Sequence, residues 1–339
     1  MVTEMTVADL GEHALLARLL ARLPRPSPTV LVGPGDDAAV LAPGRNERLV
    51  VTTDAVVEGV HFSRAFSSPA DIGHKALAVN LSDLAAMAAT PRWALLSLVL
   101  PGSWLVADVE DLVDGLAALA GRHAISVVGG NITRTEGPLV VDVTAAGEAG
   151  SRRWLTRSGA RAGHEIYVSG TIGGAAAGLE MLGDQRSGIR DQGSACISRH
   201  LRPEPRVRLG IAVGRARAAK AAMDLSDGLA DALRQVAAAS GVGVRIDGDA
   251  LPIDPCAREW WTSRGVDPVS AAVSGGDDYE LLFAVPPKSG GALRSVARHV
   301  ADPPLTKIGV FTKDPRGLVV ARAGKEDALP EGFEHFAHR

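Results

Sequence analysis

Aspartates are the residues in this sequence best suited to do chemistry. Several stand where an apolar run ends or beside glycine or serine: Gly35-Asp36-Asp37, Asp54, Asp83, Asp224-Leu-Ser-Asp227-Gly and Ser274-Gly-Gly-Asp277-Asp278. Adjacent carboxylates repel one another, and burying them without compensation is costly. Mg²⁺ accepts oxygen ligands and prefers one or two carboxylates together with phosphate oxygens and water. The pattern therefore predicts a site for hard divalent cations that handles phosphates.

A simpler interpretation of the same strings stays open. Aspartate beside glycine is common in turns, and Ser226 or Asp227 could cap the helix predicted after them. Two glycine-rich stretches, Gly129-Gly130-Asn131 and Ser169-Gly170-Thr171 with Gly173-Gly174, follow strand-like runs. Their backbone N–H groups could bind anions, or the stretches could be tight turns.

Composition and motifs exclude several classes of protein. The 339 residues carry a formal charge of −3, which argues against a basic nucleic-acid binder. No Gly-x-x-x-x-Gly-Lys-Ser/Thr loop and no protein-kinase signature is present, so phosphates would have to be neutralised by metals and arginine. No apolar run approaches the roughly 18 residues of a membrane span, and the N-terminal residues lack a basic stretch. Cys196 and Cys256 form no metal-type spacing, which favours a reduced, cytoplasmic protein.

Strand-like and helix-like segments alternate in both halves of the chain. Helices are predicted at 11–23, 71–89 and 109–123, and strands at 49–53, 93–100, 125–128 and 139–147, with a similar alternation after residue 150. A polar loop is predicted at 183–194. This alternation predicts an α/β or α+β fold with two domains, 1–148 and 149–339.

Longer strings in the sequence resemble the thiamine-monophosphate kinases, which belong to the aminoimidazole-ribotide-synthetase-like, or PurM-like, superfamily. They span nearly the whole chain, in order: Gly35-Asp-Asp-Ala-Ala39, Thr52-Thr-Asp54, Glu58-Gly-Val-His-Phe62, Lys75-Ala-Leu-Ala-Val-Asn-Leu-Ser-Asp83-Leu-Ala-Ala-Met87, Leu155-Thr-Arg-Ser-Gly-Ala160, His200-Leu-Arg-Pro203, Asp224-Leu-Ser-Asp-Gly-Leu229, Ser274-Gly-Gly-Asp-Asp-Tyr-Glu-Leu281 and Gly332-Phe-Glu-His-Phe336. The Asn80-Leu-Ser-Asp83 and Asp224-Leu-Ser-Asp227 strings are the most specific.

The resemblance implies an activity and an architecture. Members of the family phosphorylate thiamine monophosphate with ATP, giving thiamine diphosphate and ADP. The resemblance implies a two-domain PurM-like fold and a homodimer in which the N-terminal domains form a β-barrel across the dimer. Domain 1–148 would hold the metal and nucleotide site and the dimer interface, and 149–339 would be the C-terminal α/β domain. The partners are thiamine monophosphate and ATP, with neither nucleic acid nor membrane.

The resemblance also implies roles for individual residues. Several Mg²⁺ ions would be held by Asp37, Thr52, Thr53, Asp54, Asp83, Asn131, Asp224 and Asp227. ATP would contact Gly130, Asn131, Arg157 and Ser226. Thiamine monophosphate would contact His61, Asp277 and Phe333. From the residues alone, a lone histidine such as His61 beside Phe62 is more often structural, and packing of the C-terminus is the favoured role of Phe333.

The expected mechanism is direct, in-line phosphoryl transfer driven by metals and positioning, with no catalytic base. Two alternatives remain. The protein could be another ATP-using enzyme of the PurM-like superfamily. It could also be a non-catalytic nucleotide-binding regulator, an idea favoured by Asn131, which stands where many relatives have an aspartate.

Overall fold

The computed structural model describes residues 5–34, 38–151, 153–184 and 195–332 of the chain. It divides into two compact units, one formed by 1–84 with 90–151 and the other by 85–89 with 152–339. The predicted boundary between 148 and 149 falls inside the last strand of the first unit. No helix among the described residues is both long enough and apolar enough to cross a membrane.

The first unit is built from helices and a four-stranded sheet. Its elements are, in chain order, α1 (Val7–Leu10), α2 (Glu12–Arg22), β1 (Val30–Val32), β2 (Val40–Leu41), β3 (Glu47–Val57), α3 (Pro69–Ala86), β4 (Thr90–Pro101), α4 (Val106–Arg122), β5 (Ser126–Thr135) and β6 (Val140–Gly150). The strand order in the sheet is β3-β6-β4-β5. Only β4 and β5, which α4 connects, are parallel, as expected for a crossover through a helix.

Helices α3 and α4 pack closely because each offers a glycine to the other. A Cβ at Gly73 would lie 1.8 Å from the carbonyl oxygen of Leu112, and one at Gly115 would lie 2.1 Å from that of Ala70. Helix α4 buries an apolar stripe that includes Val109, Leu112 and Leu116. The core of this unit thus lies between these helices and the sheet.

The second unit contains a seven-stranded mixed sheet. Its elements are β7 (Glu165–Ser169), α5 (Gly174–Gly183), α6 (Ala195–Leu201), α7 (Val207–Ala216), β8 (Ala221–Asp224), α8 (Leu229–Ser240), β9 (Gly243–Asp247), α9 (Pro255–Ser263), α10 (Pro268–Ser274), β10 (Leu281–Val285), α11 (Gly290–Val300), β11 (Leu305–Thr312), β12 (Leu318–Arg322) and β13 (Lys325–Ala328). The order is β13-β12-β9-β11-β7-β10-β8. Strand β10 is buried along its whole length, so the core surrounds it.

The predicted mixed α/β architecture is confirmed, and most predicted elements are present. The prediction missed the short helices α9 and α10. The predicted strand 125–128 continues in the structure to Thr135. Of the predicted polar loop 183–194, Gly183 is the last residue of α5, and 185–194 lie outside the described residues. Helix α6, which follows the loop, was not predicted.

Candidate functional site

In the first unit, three of the predicted metal ligands lie on one face of the sheet. Strand alternation places the side chains of Thr52 and Asp54 on the same face of β3. The Thr52 hydroxyl donates a hydrogen bond to the Asp83 carboxylate, which projects from the last turn of α3. The two motifs, 31 residues apart in sequence, are thus joined in space.

Asp83 is placed where a helix alone would disfavour it. The C-terminal end of a helix carries a partial negative charge, which repels a carboxylate. The last turn of α3 contains no basic residue that would offset this repulsion. A cation bound by Asp83 would remove the conflict, so the position fits a metal ligand.

Thr53 and Asn131 lie on the opposite, outer face of the same sheet. The Thr53 hydroxyl is 3.0 Å from that of Thr144 and 3.2 Å from an Asp142 carboxylate oxygen. Asn131 pairs in register with Ser97, which pairs with Asp142, and its amide donates to the Thr133 hydroxyl at 3.0 Å. The structure therefore does not bring these two side chains to the face of Thr52 and Asp54.

Two further predicted residues of the first unit have structural contacts of their own. A Cβ at Gly130 would lie 1.9 Å from the carbonyl oxygen of Leu96, so the pairing of β5 with β4 requires glycine there. His61 Nδ1 accepts a hydrogen bond from the Val57 backbone N–H at 3.1 Å. The Lys75 ammonium, 3% exposed, donates to the His61 carbonyl at 3.1 Å. Since Nδ1 accepts, a neutral His61 carries its proton on Nε2.

In the second unit, two of the aspartate motifs lie on paired loops. The Asp277 backbone N–H donates to the Ser226 carbonyl at 2.7 Å, and that of Tyr279 donates to Leu225 at 3.0 Å. Glycines allow this approach: a Cβ at Gly228, whose φ is +95°, would lie 2.6 Å from the carbonyl oxygen of Gly275. The second and third motifs thus form one loop pair.

Asp224, Ser226 and Asp227 line the first of these loops. Asp224 ends β8 with 3% of its surface exposed, while Ser226 and Asp227 are half-buried. The N-cap of α8 is Gly228, so the alternative in which Ser226 or Asp227 caps this helix is wrong. Asp224 therefore places a carboxylate at the buried end of β8, next to the half-buried Ser226 and Asp227.

Arg157 and the C-terminal segment both contact α8. The Arg157 guanidinium donates to the Gln235 side chain. Arg234 donates to the carbonyl of Pro330 at 2.9 Å, and a Cβ at Gly332 would lie 2.7 Å from Asp231 Cβ. These contacts hold the chain just before Phe333 near the first turn of α8. Phe333 and Asp37 themselves lie outside the described residues.

Asp277 and Asp278 differ sharply in their surroundings. Asp277 is half-buried, receives the Tyr279 hydroxyl at 3.1 Å and lies 3.5 Å from His200 Nδ1. Asp278 is buried, and its carboxylate accepts the Gly173 N–H at 2.5 Å and the Ala175 N–H at 3.1 Å. Burial raises the pKa of Asp278 to about 7, although Arg199 and these N–H groups oppose the rise. Of the two carboxylates, Asp277 is the one that remains partly exposed.

The second glycine-rich stretch is therefore no anion site in this protein. The N–H groups of Gly173 and Ala175, which could have bound a phosphate, are occupied by the protein's own Asp278. Next to Asp278 lies a buried cluster of charged side chains that was not predicted from the sequence. Glu280 is fully buried and accepts from Ser169 at 2.6 Å, Arg199 at 3.0 Å and Arg206 Nε at 2.8 Å. The signal in the sequence was a pair of arginines, Arg199 on α6 and Arg206 at the N-cap of α7.

Family models match both halves of the chain. The N-terminal domain model of the AIR synthase related proteins matches residues 35–149, and the C-terminal domain model matches 161–322. The chain is 42% identical over 336 residues to the thiamine-monophosphate kinase of Escherichia coli K12, covering 96% of this chain and 98% of that one. It is 36% identical over 323 residues to the thiamine-monophosphate kinase of Bacillus subtilis, covering 91% of this chain and 94% of that one.

Solved structures agree with these sequence relatives. The thiamine-monophosphate kinase of Stenotrophomonas maltophilia K279a has a TM-score of 0.77 at 41% identity, over 93% of this chain and 96% of that one. AaThiL complexed with AMPPCP and TMP has a TM-score of 0.75 at 33% identity, over 98% and 100%. The hydrogenase maturation protein HypE in complex with ATP has a TM-score of 0.79 at 21% identity, over 96% and 98%, and shows the shared PurM-like fold alone.

Proposed function

The chain belongs to the thiamine-monophosphate kinase family, and we propose that it transfers the γ-phosphate of ATP to thiamine monophosphate, giving thiamine diphosphate and ADP. The observation that carries this proposal is the full-length similarity to AaThiL, which was solved in complex with AMPPCP and TMP. The arrangement of carboxylates within each unit supports it.

We propose that carboxylates in both units bind Mg²⁺. In the first unit the ligands are Thr52, Asp54 and Asp83, together with Asp37. In the second unit they are Asp224 and Asp227. The position of Asp83 at a helix C-terminus favours a bound cation. We leave Thr53 and Asn131 out of the Thr52 group because their side chains lie on the outer face of the sheet.

The reaction needs no catalytic base. A phosphate monoester is largely dianionic near pH 7 because its second pKa is about 6. The obstacle is the repulsion between the two phosphates, and magnesium ions supply the charge that offsets it and aligns an in-line transfer. The aspartates hold the metals in place. We therefore propose direct transfer without a phosphoenzyme.

The remaining predicted contacts are proposed as follows. Gly130, Asn131, Arg157 and Ser226 contact ATP. His61, Asp277 and Phe333 contact thiamine monophosphate. The proton on His61 Nε2 makes that atom a hydrogen-bond donor toward the substrate. Asp277 carries the negative charge that suits the cationic thiazolium ring.

We further propose a cytoplasmic homodimer in which the N-terminal sheets of two copies meet to form a barrel. The outer face of the sheet exposes large apolar side chains: Leu49 at 57%, Val51 at 56% and Leu95 at 43% of their surface. Such a patch is typical of an interaction surface. The domain roles implied by the resemblance, with 1–148 as the metal-binding and dimerisation domain, belong to the same proposal.

A coupled assay for ADP tests the function. We expect turnover with thiamine monophosphate only when Mg²⁺ is present, and no phosphoprotein in rapid-quench samples. ADP release with another acceptor in place of thiamine monophosphate would instead indicate a different PurM-like enzyme. ATP binding without any Mg²⁺-dependent turnover would indicate a regulator.

A further inference from the structure

The cysteines of the chain, far apart in sequence, meet in the second unit. Cys196 lies on α6 and is fully buried, whereas Cys256 lies in the first turn of α9 and is half-buried. Their sulfurs and a carboxylate oxygen of Asp254 all lie within 4.8 Å of one another. This cluster of two thiols and one carboxylate has no part in the function proposed above.

The three side chains are held in place by the surrounding backbone. Asp254 is the N-cap of α9; its Oδ1 accepts the Cys256 N–H at 3.0 Å and lies 3.9 Å from Cys196 Sγ. Helix α6 is fixed against α5, since a Cβ at Gly178 would lie 2.1 Å from the Cys196 carbonyl oxygen. The cluster is therefore preorganised rather than assembled from mobile loops.

The donor set matches a thiophilic divalent cation. Zn²⁺ is typically bound tetrahedrally by cysteine sulfur at about 2.3 Å, which separates two sulfurs by about 3.8 Å. Aspartate oxygen is an accepted third ligand. Thiolate ligands select zinc over the magnesium that carboxylates bind. Cys256 is half-buried, whereas Cys196 is buried.

Charges around the cluster permit a cation. Arg199 Nη1 lies 3.9 Å from the Asp254 carboxylate, but the same guanidinium also pairs with the buried Glu280 at 3.0 Å. Burial, the Cys256 thiol and the Asp254 charge raise the pKa of Cys196, and Arg199 lowers it. Cysteine binds a metal as the thiolate, so binding releases the thiol protons.

We propose that Cys196, Cys256 and Asp254 bind one thiophilic divalent cation of the Zn²⁺ class, at a site distinct from the Mg²⁺ ligands. Binding forms two metal–sulfur bonds and releases two thiol protons to solvent, with no change in oxidation state. The ion would tie α6 to the start of α9 and stabilise the second unit. This goes beyond the phosphoryl transfer proposed above and does not depend on it.

A titration of the full chain with Cd²⁺ tests the site. The protein is freed of metal by a chelator and kept in excess Mg²⁺, which occupies carboxylate sites. We expect one Cd²⁺ per chain, an ultraviolet sulfur-to-metal absorption band, and displacement by Zn²⁺. The affinity should increase with pH. Loss of a residue that only hydrogen-bonds a metal ligand typically lowers metal affinity by roughly 10–100-fold. Cys256→Ser removes a ligand itself, so it should weaken Cd²⁺ binding by more than that. The Cys196→Ser/Cys256→Ser double variant should show no absorption band.

Asp254→Asn and Asp267→Asn form a matched pair of variants. Asp267 caps α10 as Asp254 caps α9, yet it is paired with Arg322 instead of the thiols. We expect only Asp254→Asn to weaken Cd²⁺ binding, and thiamine-monophosphate kinase activity in Mg²⁺ to persist in the Cys256→Ser variant. Zn²⁺ should raise the thermal midpoint of the wild type by several degrees and protect its thiols from a thiol reagent.

Three results would overturn the proposal. The first is the absence of a sulfur-to-metal band, with thiols that react equally fast with and without Zn²⁺. The second is a lack of free thiols in denatured, unreduced protein, which would make the pair a disulfide. The third is equal weakening by Asp254→Asn and Asp267→Asn. The thiol-protection measurement uses wild-type protein, so it shows whether Zn²⁺ binds the thiols even if a cysteine variant does not fold.

Discussion

Asp277 and Asp278 are neighbours in sequence with opposite environments. Asp277 has a φ of +68°, in the left-handed region that ordinary residues avoid, and faces the loop of Ser226. Asp278 points inward and holds the start of α5. The sequence suggested one shared role for adjacent carboxylates, whereas the backbone turn between them separates a partly exposed group from a buried, structural one.

The raised pKa of Asp278 predicts how stability depends on pH. The unfolded chain releases this proton near its ordinary pKa of 3.8, while the folded protein keeps it until about pH 7. The free energy of unfolding should therefore fall as pH rises from about 4 to about 7, by up to about 1 kcal/mol per pH unit from this group. Urea unfolding of wild type and Asp278→Asn at several pH values measures the difference. An identical pH slope in both proteins would contradict the prediction.

Removing a proposed metal ligand should abolish catalysis without unfolding the protein. For Asp54→Ala and Asp83→Ala we expect turnover to fall by at least about 100-fold, the size of loss seen when one group stabilising transition-state charge is removed. The control is Asp111→Ala, which alters an exposed carboxylate on α4. The ADP assay and thermal unfolding measure both properties, and near-normal rates in either variant would reject the metal role.

Part of the site was predictable from individual residues, and part was not. The grouping of Thr52 with Asp83 followed from the resemblance, and strand alternation alone would have placed Thr53 on the other face. The pairing of the loop at Ser226 with the loop at Asp277 depends on backbone contacts between residues some fifty positions apart. Periodicity within one segment carries no information about such contacts.

At the scale of secondary structure, the close packing of α3 against α4 depends on Gly73 and Gly115. We expect Gly115→Ala to lower the free energy of unfolding by about 1–3 kcal/mol, because its Cβ would lie 2.1 Å from the Ala70 carbonyl oxygen. Gly121 is the matched control in the same helix, with nothing within 4 Å of its Cβ position. Gly121→Ala should raise stability by about 0.4–1 kcal/mol. Chemical denaturation checks both, and equal effects would contradict the packing argument.

The elements with a strong apolar period were the most predictable. Helix α4 has a buried stripe, and its bounds match the predicted 109–123 closely. Strand β13 is exposed along its whole length and carries no apolar signal. Helix α9 begins with an Asp-Pro capping signal, yet its two adjacent tryptophans do not reveal a helical period, so it was missed.

At the scale of the whole molecule, the proposed dimer predicts that the outer face of the N-terminal sheet is the interface between two copies. A charge placed on this face, as in Val51→Asp or Leu95→Asp, should shift the protein toward monomer because a charge buried in an interface without a partner is costly. Leu179→Asp is the control, since that exposed leucine lies in the second unit at 46% exposure. Sedimentation velocity measures the outcome. A wild-type protein that is monomeric at all concentrations would exclude the dimer.

The carboxylate that occupies the start of α5 also bears on inhibitor discovery. Sulfonates and phosphonates are anions of the kind that backbone N–H groups at the start of a helix can bind. In this protein such an anionic group would have to displace the side chain of Asp278 from the backbone N–H groups of Gly173 and Ala175. A screen against this protein should therefore direct acidic fragments away from that turn.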